Sequence, residues 1–506
     1  MRQSGLFLLA AVMTVPMVAQ VGGSTPPPSA TVTQLPLSGR TAQSGSVNSV
    51  QTPISGVTSS VNTLNTSIQV QGPYAGSLPQ GPFAGKLTLA EAVRRGLQYN
   101  LGSTGLNIAL RQAQGQARTA RSALMPNLNG NLKESVLQND LAVLGVKAPV
   151  IPGVGKLIPS ITPPFNYFDL RATLTQNIAD FTALNNYRSS KEIVKADQQY
   201  AQDARDLVVL GVGGAYLQVM AAEARLGSAR AQLDTATALF KQTDERRQAG
   251  LNAQIDVNRS RVQMQTQQQR LTSLENDLAK QRINLARMTG LPLGQKIEIA
   301  GTMSYAPAPA VTAEEALKEA SDRRGDLKAA EAEVRAAERT LAAAKAERYP
   351  TLGLSADYGV IGTNPAQSHG TFTVTGQLRF PIWQGGKAEG DIAQAQASLD
   401  QRRAELADLK GRIEGDIRSA LLDLDATSGQ VEVAKSNEEV SRQTLTLTRQ
   451  RFEMGVTDSV EVVQAQEGVA TAELDYINSV FAHNVAKLTL ARALGHAEEI
   501  LAQYLP

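Results

Sequence analysis

Apolar residues return in steps of three and four through two long stretches of the chain, Asn186 to Gln248 and Gly386 to Glu453, and neither contains proline. In the first, Leu226, Ala229, Leu233, Ala236 and Phe240 trace a seam; in the second, Leu406, Leu409, Ile413, Ile417, Ala420 and Leu424 do the same. Seams of Leu and small Ala, with polar residues on the remaining faces, predict helices that pack as coiled coils. At about 1.5 Å per residue, either stretch reaches roughly 100 Å if unbroken. Amphipathic helices on a globule share the pattern, but they average about a dozen residues.

Between the helices the period drops from 3.6 to 2. Phe372, Val374, Gly376, Leu378 and Phe380 alternate with Thr371, Thr373, Thr375, Gln377 and Arg379. Leu352, Leu354, Ala356, Tyr358 and Val360 alternate with Thr351, Gly353, Ser355, Asp357 and Gly359. Phe168, Leu170, Ala172 and Leu174 do the same against Tyr167, Asp169, Arg171 and Thr173, and a fourth strand is expected from Leu128 to about Val136. Strands of about ten residues with one apolar face fit a transmembrane β-barrel, or a soluble β-subdomain with one wet face. On the barrel reading the lipid-facing side chains are Phe168, Leu170, Ala172, Leu174, Leu352, Leu354, Tyr358, Phe372, Val374, Leu378 and Phe380. Aromatic residues collect beside the strands as interfacial girdles do: Phe165, Tyr167, Phe168, Phe181 and Tyr187 at the first pair, Tyr349, Phe380 and Trp383 at the second. Four strands cannot close, and lipid tolerates no open sheet edge, so a barrel requires several copies to pool their strands. A conducting lumen favours three copies or more, because an eight-stranded barrel is filled by its own side chains.

The whole pattern occurs twice. Leu87 to Asn100 matches Val311 to Arg324; Thr88 and Thr312 stand 224 residues apart (312 − 88), and the offset still pairs Met125-Pro126 with Tyr349-Pro350. Each threonine is placed as an N-cap with Glu91 or Glu315 three residues on, which predicts a capping box in each half. Further on, Arg247 to Val257 matches Phe452 to Val462. Gly250 and Gly455 are 205 residues apart (455 − 250), an offset that persists to Gly290 and Gly495. The first half therefore carries 19 extra residues (224 − 205), around the Gly-, Val- and Pro-rich stretch Leu141 to Pro164. These matches divide the chain into a first repeat (86–300), a second (301–498) and a short tail (499–506).

The N-terminus is of different material. Arg2, the apolar run Leu6 to Val15 and Met17-Val18-Ala19 before Gln20 read as a signal peptide over 1–19. The run is too short to cross a bilayer, and no later stretch is expected to cross one as a helix. Residues 20–85 are rich in Ser, Thr, Gly, Pro and Gln, with Arg40 their only charge, and read as a flexible leader draped along the body. Lys plus Arg number 49 and Asp plus Glu 47, a net charge of +2, which gives no basis for nucleic-acid binding. Cysteine is absent, so disulfides, thiolate metal sites and cysteine nucleophiles are excluded.

Signal peptide, duplicated halves, paired strands between long helices and the two glycine turns together resemble the TolC family of outer-membrane efflux proteins, over about residues 86 to 498. The strongest motifs are Arg247…Gly250…Asp256-Val257 and Arg451-Phe452…Gly455…Glu461-Val462. The resemblance implies an α+β, mainly α fold: a homotrimer with four strands per protomer in a twelve-stranded transmembrane β-barrel, and a long coiled-coil α-helical barrel through the periplasm. It implies an outer-membrane exit duct for small molecules or polypeptides, serving a periplasmic adaptor and an inner-membrane pump, with no cofactor and no catalysis. By position, adaptor hairpins dock at Ala249-Gly250-Leu251 and Met454-Gly455-Val456. As isolated features, the glycines are also simple hairpin-turn residues.

The family's periplasmic aperture maps onto Phe452 as an aromatic gate, Thr457 in place of a locking arginine, Glu461 and Gln464 in place of two acids, and Asp256 as the first-half counterpart. Three copies of Glu461 about a narrow axis would attract cations; on its own, Glu461 is equally an exposed acid at a helix start. The alternative function is a periplasmic coiled-coil adaptor or envelope-spacing protein, which would not need two hairpins of alternating strands. An enzyme is not supported. His369, His483 and His496 lack metal-ligand spacing. Gly211, Gly213 and Gly214 lack the strand and lysine of a phosphate loop and suit close helix packing.

Overall fold

A computed structural model describes residues 46–53, 64–141, 143, 145, 150–151, 155–156 and 161–499. The expected signal peptide, the first part of the leader, most of the Leu141–Pro164 stretch and most of the tail lie outside the described residues. In chain order the elements are β1 (Val47–Pro53), β2 (Leu64–Val70), α1 (Leu89–Tyr99), α2 (Leu101–Ser122), β3 (Asn127–Leu137), β4 (Val150–Ile151), β5 (Gly155–Lys156), β6 (Phe165–Ala179), α3 (Phe181–Gln248) and α4 (Gln254–Thr289). The second half continues with α5 (Ala313–Arg323), α6 (Gly325–Ala346), β7 (Thr351–Gly362), β8 (Ser368–Arg379), α7 (Lys387–Glu453) and α8 (Ser459–Leu494). Its helices of 11, 22, 67 and 36 residues repeat the 11, 22, 68 and 36 of the first half.

Each long helix is a strut flanked by shorter ones. α3 packs along α2 and α6 and then along α4; α7 packs along α6 and then α8. Both struts reach about 100 Å at the α-helical rise. The seam residues Leu226, Ala229, Ala236, Ile413, Ile417 and Ala420 are buried. The capping boxes differ. In α5 both halves of the box form between Thr312 and Glu315. In α1 Thr88 caps the Glu91 amide, but the Glu91 carboxylate turns to Arg94 at 2.7 Å. The matching position in α5 is Lys318, a point charge that lacks the arginine fork.

β3, β6, β7 and β8 form one antiparallel sheet in that order, so β6 of the first half pairs with β7 of the second. A bulge at Asn177/Ala179 marks where β6 turns into α3. The main core lies beyond the sheet, about the middle of α3 and the end of α8. There Tyr216 donates to the carbonyls of Leu87 (3.0 Å) and Ala300 (2.7 Å), tying α1 and the crossover between halves to α3; burial pushes its phenol up to about 12. One apolar window in α3 is long and apolar enough to cross a membrane, contrary to the sequence expectation, but 72% of it is buried inside the fold. It is the core segment of a long helix.

The flexible-leader reading of 20–85 is corrected for its described part. β1 and β2 form a hairpin whose Val47 and Ile68 enter the core, followed by buried Tyr74. Gly211 and Gly214 make room for this hairpin: a β-carbon at 214 would lie 2.2 Å from the Ile68 Cδ1. Gly213 serves helix packing, against Leu488 of α8, and so in part does Gly211, where an added β-carbon would lie 3.1 Å from the Met288 Cε of α4. A low average hydrophobicity had concealed a few well-spaced apolar residues.

Charged groups are buried nearby. Arg492 bonds Asp203 at 2.7 Å, and Arg324 forks onto Asp326 at 2.7 and 3.0 Å. Burial pushes the Asp206 carboxyl up to about 6, against the pull of Arg492. Lys487 and His483, both almost fully buried, reach the Ala306 carbonyl of the crossover. His483 also meets Thr427 at 3.3 Å and stacks obliquely on Tyr305. Burial, with the Lys487 charge beside it, lowers the imidazole to about 4.

Gly214→Val is expected to displace β1–β2 and to destabilise the protein by about 1–3 kcal/mol; a thermal melt identical to wild type would contradict that packing. His483 titrates near 4 folded and at the ordinary 6.5 unfolded, so its contribution is complete above about pH 6.5 and is lost as pH falls toward 4. His483→Gln should therefore lose less stability than wild type between pH 7 and 4.5. Equal losses in the two proteins would show that the imidazole is not the titrating group.

Candidate functional site

Two regions collect the sequence-derived site residues. In the sheet, register aligns Leu128, Leu174, Ala356 and Val374 in one row, Gly130, Ala172, Tyr358 and Phe372 in the next, and Leu132, Leu170, Val360 and Gly370 beyond. Phe168, Leu354, Leu352 and Leu378 lie on that same face, and Phe380 directly follows β8. Leu128, Leu132, Val136, Leu170, Tyr358, Phe372, Val374, Leu378 and Phe380 are all exposed. A contiguous exposed apolar face this large needs a cover. Within the sheet its charged exception is Glu134, opposite Phe168. Twelve-residue strands tilted by about 40° cover about 30 Å, the thickness of a bilayer's hydrocarbon core.

At the helical end of the sheet stand Phe181 and Tyr349, edge to face at 6.2 Å, with exposed Phe380, Ile382 and Trp383, the last 87% exposed. Tyr167 and Phe165 point instead to the polar face, by their register with Ser135 and Leu137.

The second region is the far end of the helices. Both turns are Schellman caps. Leu251 N–H donates to Arg246 O and Gly250 N–H to Arg247 O; Val456 N–H donates to Arg451 O and Gly455 N–H to Phe452 O. Gly250 and Gly455 have φ of +75° and +71°, with open space where a side chain would stand, so conformation and not crowding demands glycine. The residue after a Schellman glycine commonly packs back on its helix. Here Leu251 is 77% exposed, Val456 65%, and Met454 70%. Ala249 is exposed as well.

The aperture residues are brought together, but not in the expected manner. Phe452 is corrected: it is 5% exposed and packs with Leu239 and Val462 inside a single protomer, so it is core of the tip and not a free gate. Arg246 lies 4.5 Å over its ring and donates to its carbonyl at 3.2 Å. Asp256 accepts from Ser459 at 3.0 Å, a second tie between the two hairpins. Glu461 is exposed and pairs with Arg451 at 3.6 Å across the turn. Gln464 is exposed, and the Thr457 hydroxyl finds no partner among the described residues. Sequence reasoning missed Arg246, although it stands 205 residues before Arg451 and so holds the equivalent place in the first half.

No group of His, Cys, Asp and Glu suited to a metal occurs among the described residues. The family model described as outer membrane efflux protein matches residues 106–291 and 316–496, one match to each half. The pyoverdine export outer membrane protein OpmQ of Pseudomonas aeruginosa is 25% identical, over 76% of this chain and 80% of its own length. Outer membrane protein OprJ of the same species is 26% identical, over 84% of this chain and 88% of its own. Among solved structures, the Campylobacter jejuni CmeC outer membrane channel superposes with a TM-score of 0.70 at 15% identity, over 82% of this chain and 89% of that one; at that identity the likeness establishes the fold. With both halves matched across more than two thirds of its length, the chain belongs to the outer membrane efflux protein family.

Proposed function

We propose that this protein is the outer-membrane exit channel of a tripartite efflux or secretion system, a passive conduit reaching from the outer membrane into the periplasm. The observation that carries this reading is the open four-stranded sheet, with an exposed apolar face as tall as a bilayer and free edges on β3 and β8. In lipid both edges must be paired. β3 runs away from the helices and β8 returns toward them, so β8 of one copy set beside β3 of the next continues the antiparallel order. Three copies give a twelve-stranded barrel, and the struts beneath form a helical tunnel. The chain is then a signal peptide (1–19) followed by two efflux-protein repeats (86–300 and 301–498).

The Leu251 and Met454–Val456 turns are the docking points for a periplasmic adaptor that brings the inner-membrane pump. Their exposed apolar side chains at the free end of 100 Å struts support that role. Glu461 lies at the mouth of the tunnel. Its pairing with Arg451, both half exposed, is worth less than about 1 kcal/mol and leaves the carboxylate accessible.

Electron microscopy of the detergent-purified protein is expected to show a hollow three-fold cylinder roughly 100 Å or more in length; a thin monomeric rod, released with the soluble periplasmic fraction, would point to an envelope spacer instead. Glu461→Ala is expected to raise single-channel conductance, and unchanged conductance together with unchanged ion selectivity would remove Glu461 from the aperture. Leu251→Asp with Val456→Asp should abolish efflux-dependent resistance while leaving channel conductance intact. Undiminished resistance would show that the adaptor docks elsewhere.

A further inference from the structure

The polar face of the sheet carries a built arrangement of charge. Register sets Asn131, Arg171, Gly359 and Thr371 in one row across all four strands. Lys133 and Asp169 are partners in the next row outward, and Asp357 lies in the next row inward, opposite Thr173. The Arg171 guanidinium reaches along its own strand and across to β7 and β8. Its Nε donates to Asp169 at 3.2 Å, one Nη donates to Asp357, and the other donates to Thr371 Oγ1 at 3.2 Å. All three charged side chains keep about a fifth of their surface exposed, enough for the charge to be felt on that face.

Gly359 makes the arrangement possible. It stands directly opposite Arg171, and a β-carbon there would come within 2.7 Å of the Arg171 Cα. The vacant place lets the guanidinium lie across β7 toward Asp357 and Thr371. Counted over these rows, Lys133 and Arg171 balance Asp169 and Asp357. The surrounding wall positions are mainly Asn and Thr, and Arg379 lies apart at the helical end of β8.

We propose that Arg171 sets the ion selectivity of the barrel lumen: by neutralising, together with Lys133, the carboxylates of Asp169 and Asp357 at mid-height, it gives a charge-balanced wall that passes solutes of either sign. This rests on reading the sheet as one third of a closed barrel. Twelve strands about 4.8 Å apart and tilted by about 40° enclose a backbone radius of about 12 Å. Side chains narrow that further, and the Debye length is about 8 Å at physiological ionic strength. Wall charges therefore act across the whole lumen. Loss of Arg171 leaves each protomer one negative charge in excess in this belt, repeated at every copy; loss of Asp357 leaves one positive charge in excess.

The test is the K⁺/Cl⁻ permeability ratio of the full-length protein in planar bilayers under a salt gradient, each variant measured against wild type so that the contribution of the tip is common. Arg171→Gln is expected to raise the ratio roughly twofold or more, and Asp357→Asn to lower it by a similar factor. Arg171→Lys keeps the charge and loses the fork, so it should retain the wild-type ratio even where trimer heat stability drops. Ratios equal to wild type in both Arg171→Gln and Asp357→Asn, or shifts of the same sign, would overturn the proposal. Should Arg171→Gln fail to assemble, Asp357→Asn and Asp169→Asn decide alone, since both must move toward anions. A wild-type protein that assembles but conducts nothing would refute the barrel reading itself, a different outcome from conducting channels with unaltered selectivity.

Discussion

A β-sheet immersed in hydrocarbon can leave no edge unpaired, and that constraint organises this molecule more than any packing contact within it. Each unpaired N–H or C=O at an edge in lipid costs several kcal/mol, and the edge strands β3 and β8 present a row of them. Among the described residues the other strands, β1–β2 and β4–β5, pair with each other and not with these edges. On the barrel reading proposed above, the sheet is a fragment, and the element that completes it is another copy of the same chain. Once the strands are joined in a ring, the helices that continue them are held in a ring too, because β6 runs into α3 and β8 leads to α7 with only a few residues between. A tunnel beneath a barrel follows from covalent continuity.

Duplication simplifies this construction. Each half contributes one strand pair and one strut, and nearly equal helix lengths bring both struts to the same depth, where both end in the same Schellman turn. The halves meet along α3 and α6, at the tip, at the β6–β7 seam, where Arg171 reaches across to Asp357, and in the core, where Arg492 of α8 reaches Asp203 of α3. An ion pair so deeply buried is weak support for stability but strongly penalises misalignment, since breaking it strands a charge. The β1–β2 hairpin breaks the symmetry, because it fills a groove over Gly211 and Gly214.

What was legible in the sequence was what depends on period. Alternation over ten residues can only be a two-faced strand, and a three-four repeat without proline over sixty residues can only be a long helix, so the sheet faces and both struts were readable. What was not legible depends on which of several partners a side chain selects. Glu91 could close its capping box or bind Arg94, and a forked charge-assisted pair outcompetes a single amide bond. The core roles of Val47, Ile68 and Tyr74 were hidden because average composition weighs a few core side chains no more than the polar residues between them. The apolar window of α3 passed unnoticed because charged residues flank it, although burial within the fold now accounts for it.

Phe452 shows why a position carried over from a resemblance needs its neighbours as well. An aromatic ring at the end of a strut can face the tunnel axis or its own protomer, and the choice depends on what lies beneath. Here Leu239 and Val462 form an apolar seat and Arg246 covers the ring, so burial of the ring and the cation–π contact favour the same inward rotamer. The hydrogen bond from Arg246 to the Phe452 carbonyl and that from Ser459 to Asp256 then join the α3–α4 tip to the α7–α8 tip. With both ties inside one protomer, the two tips are coupled, and a movement imposed on one turn is passed to the other. Thr457, lacking the reach of an arginine, adds no tie of its own. The tip of each protomer is thus tied within itself, and in the proposed trimer any widening of the tunnel mouth falls to the interfaces between protomers.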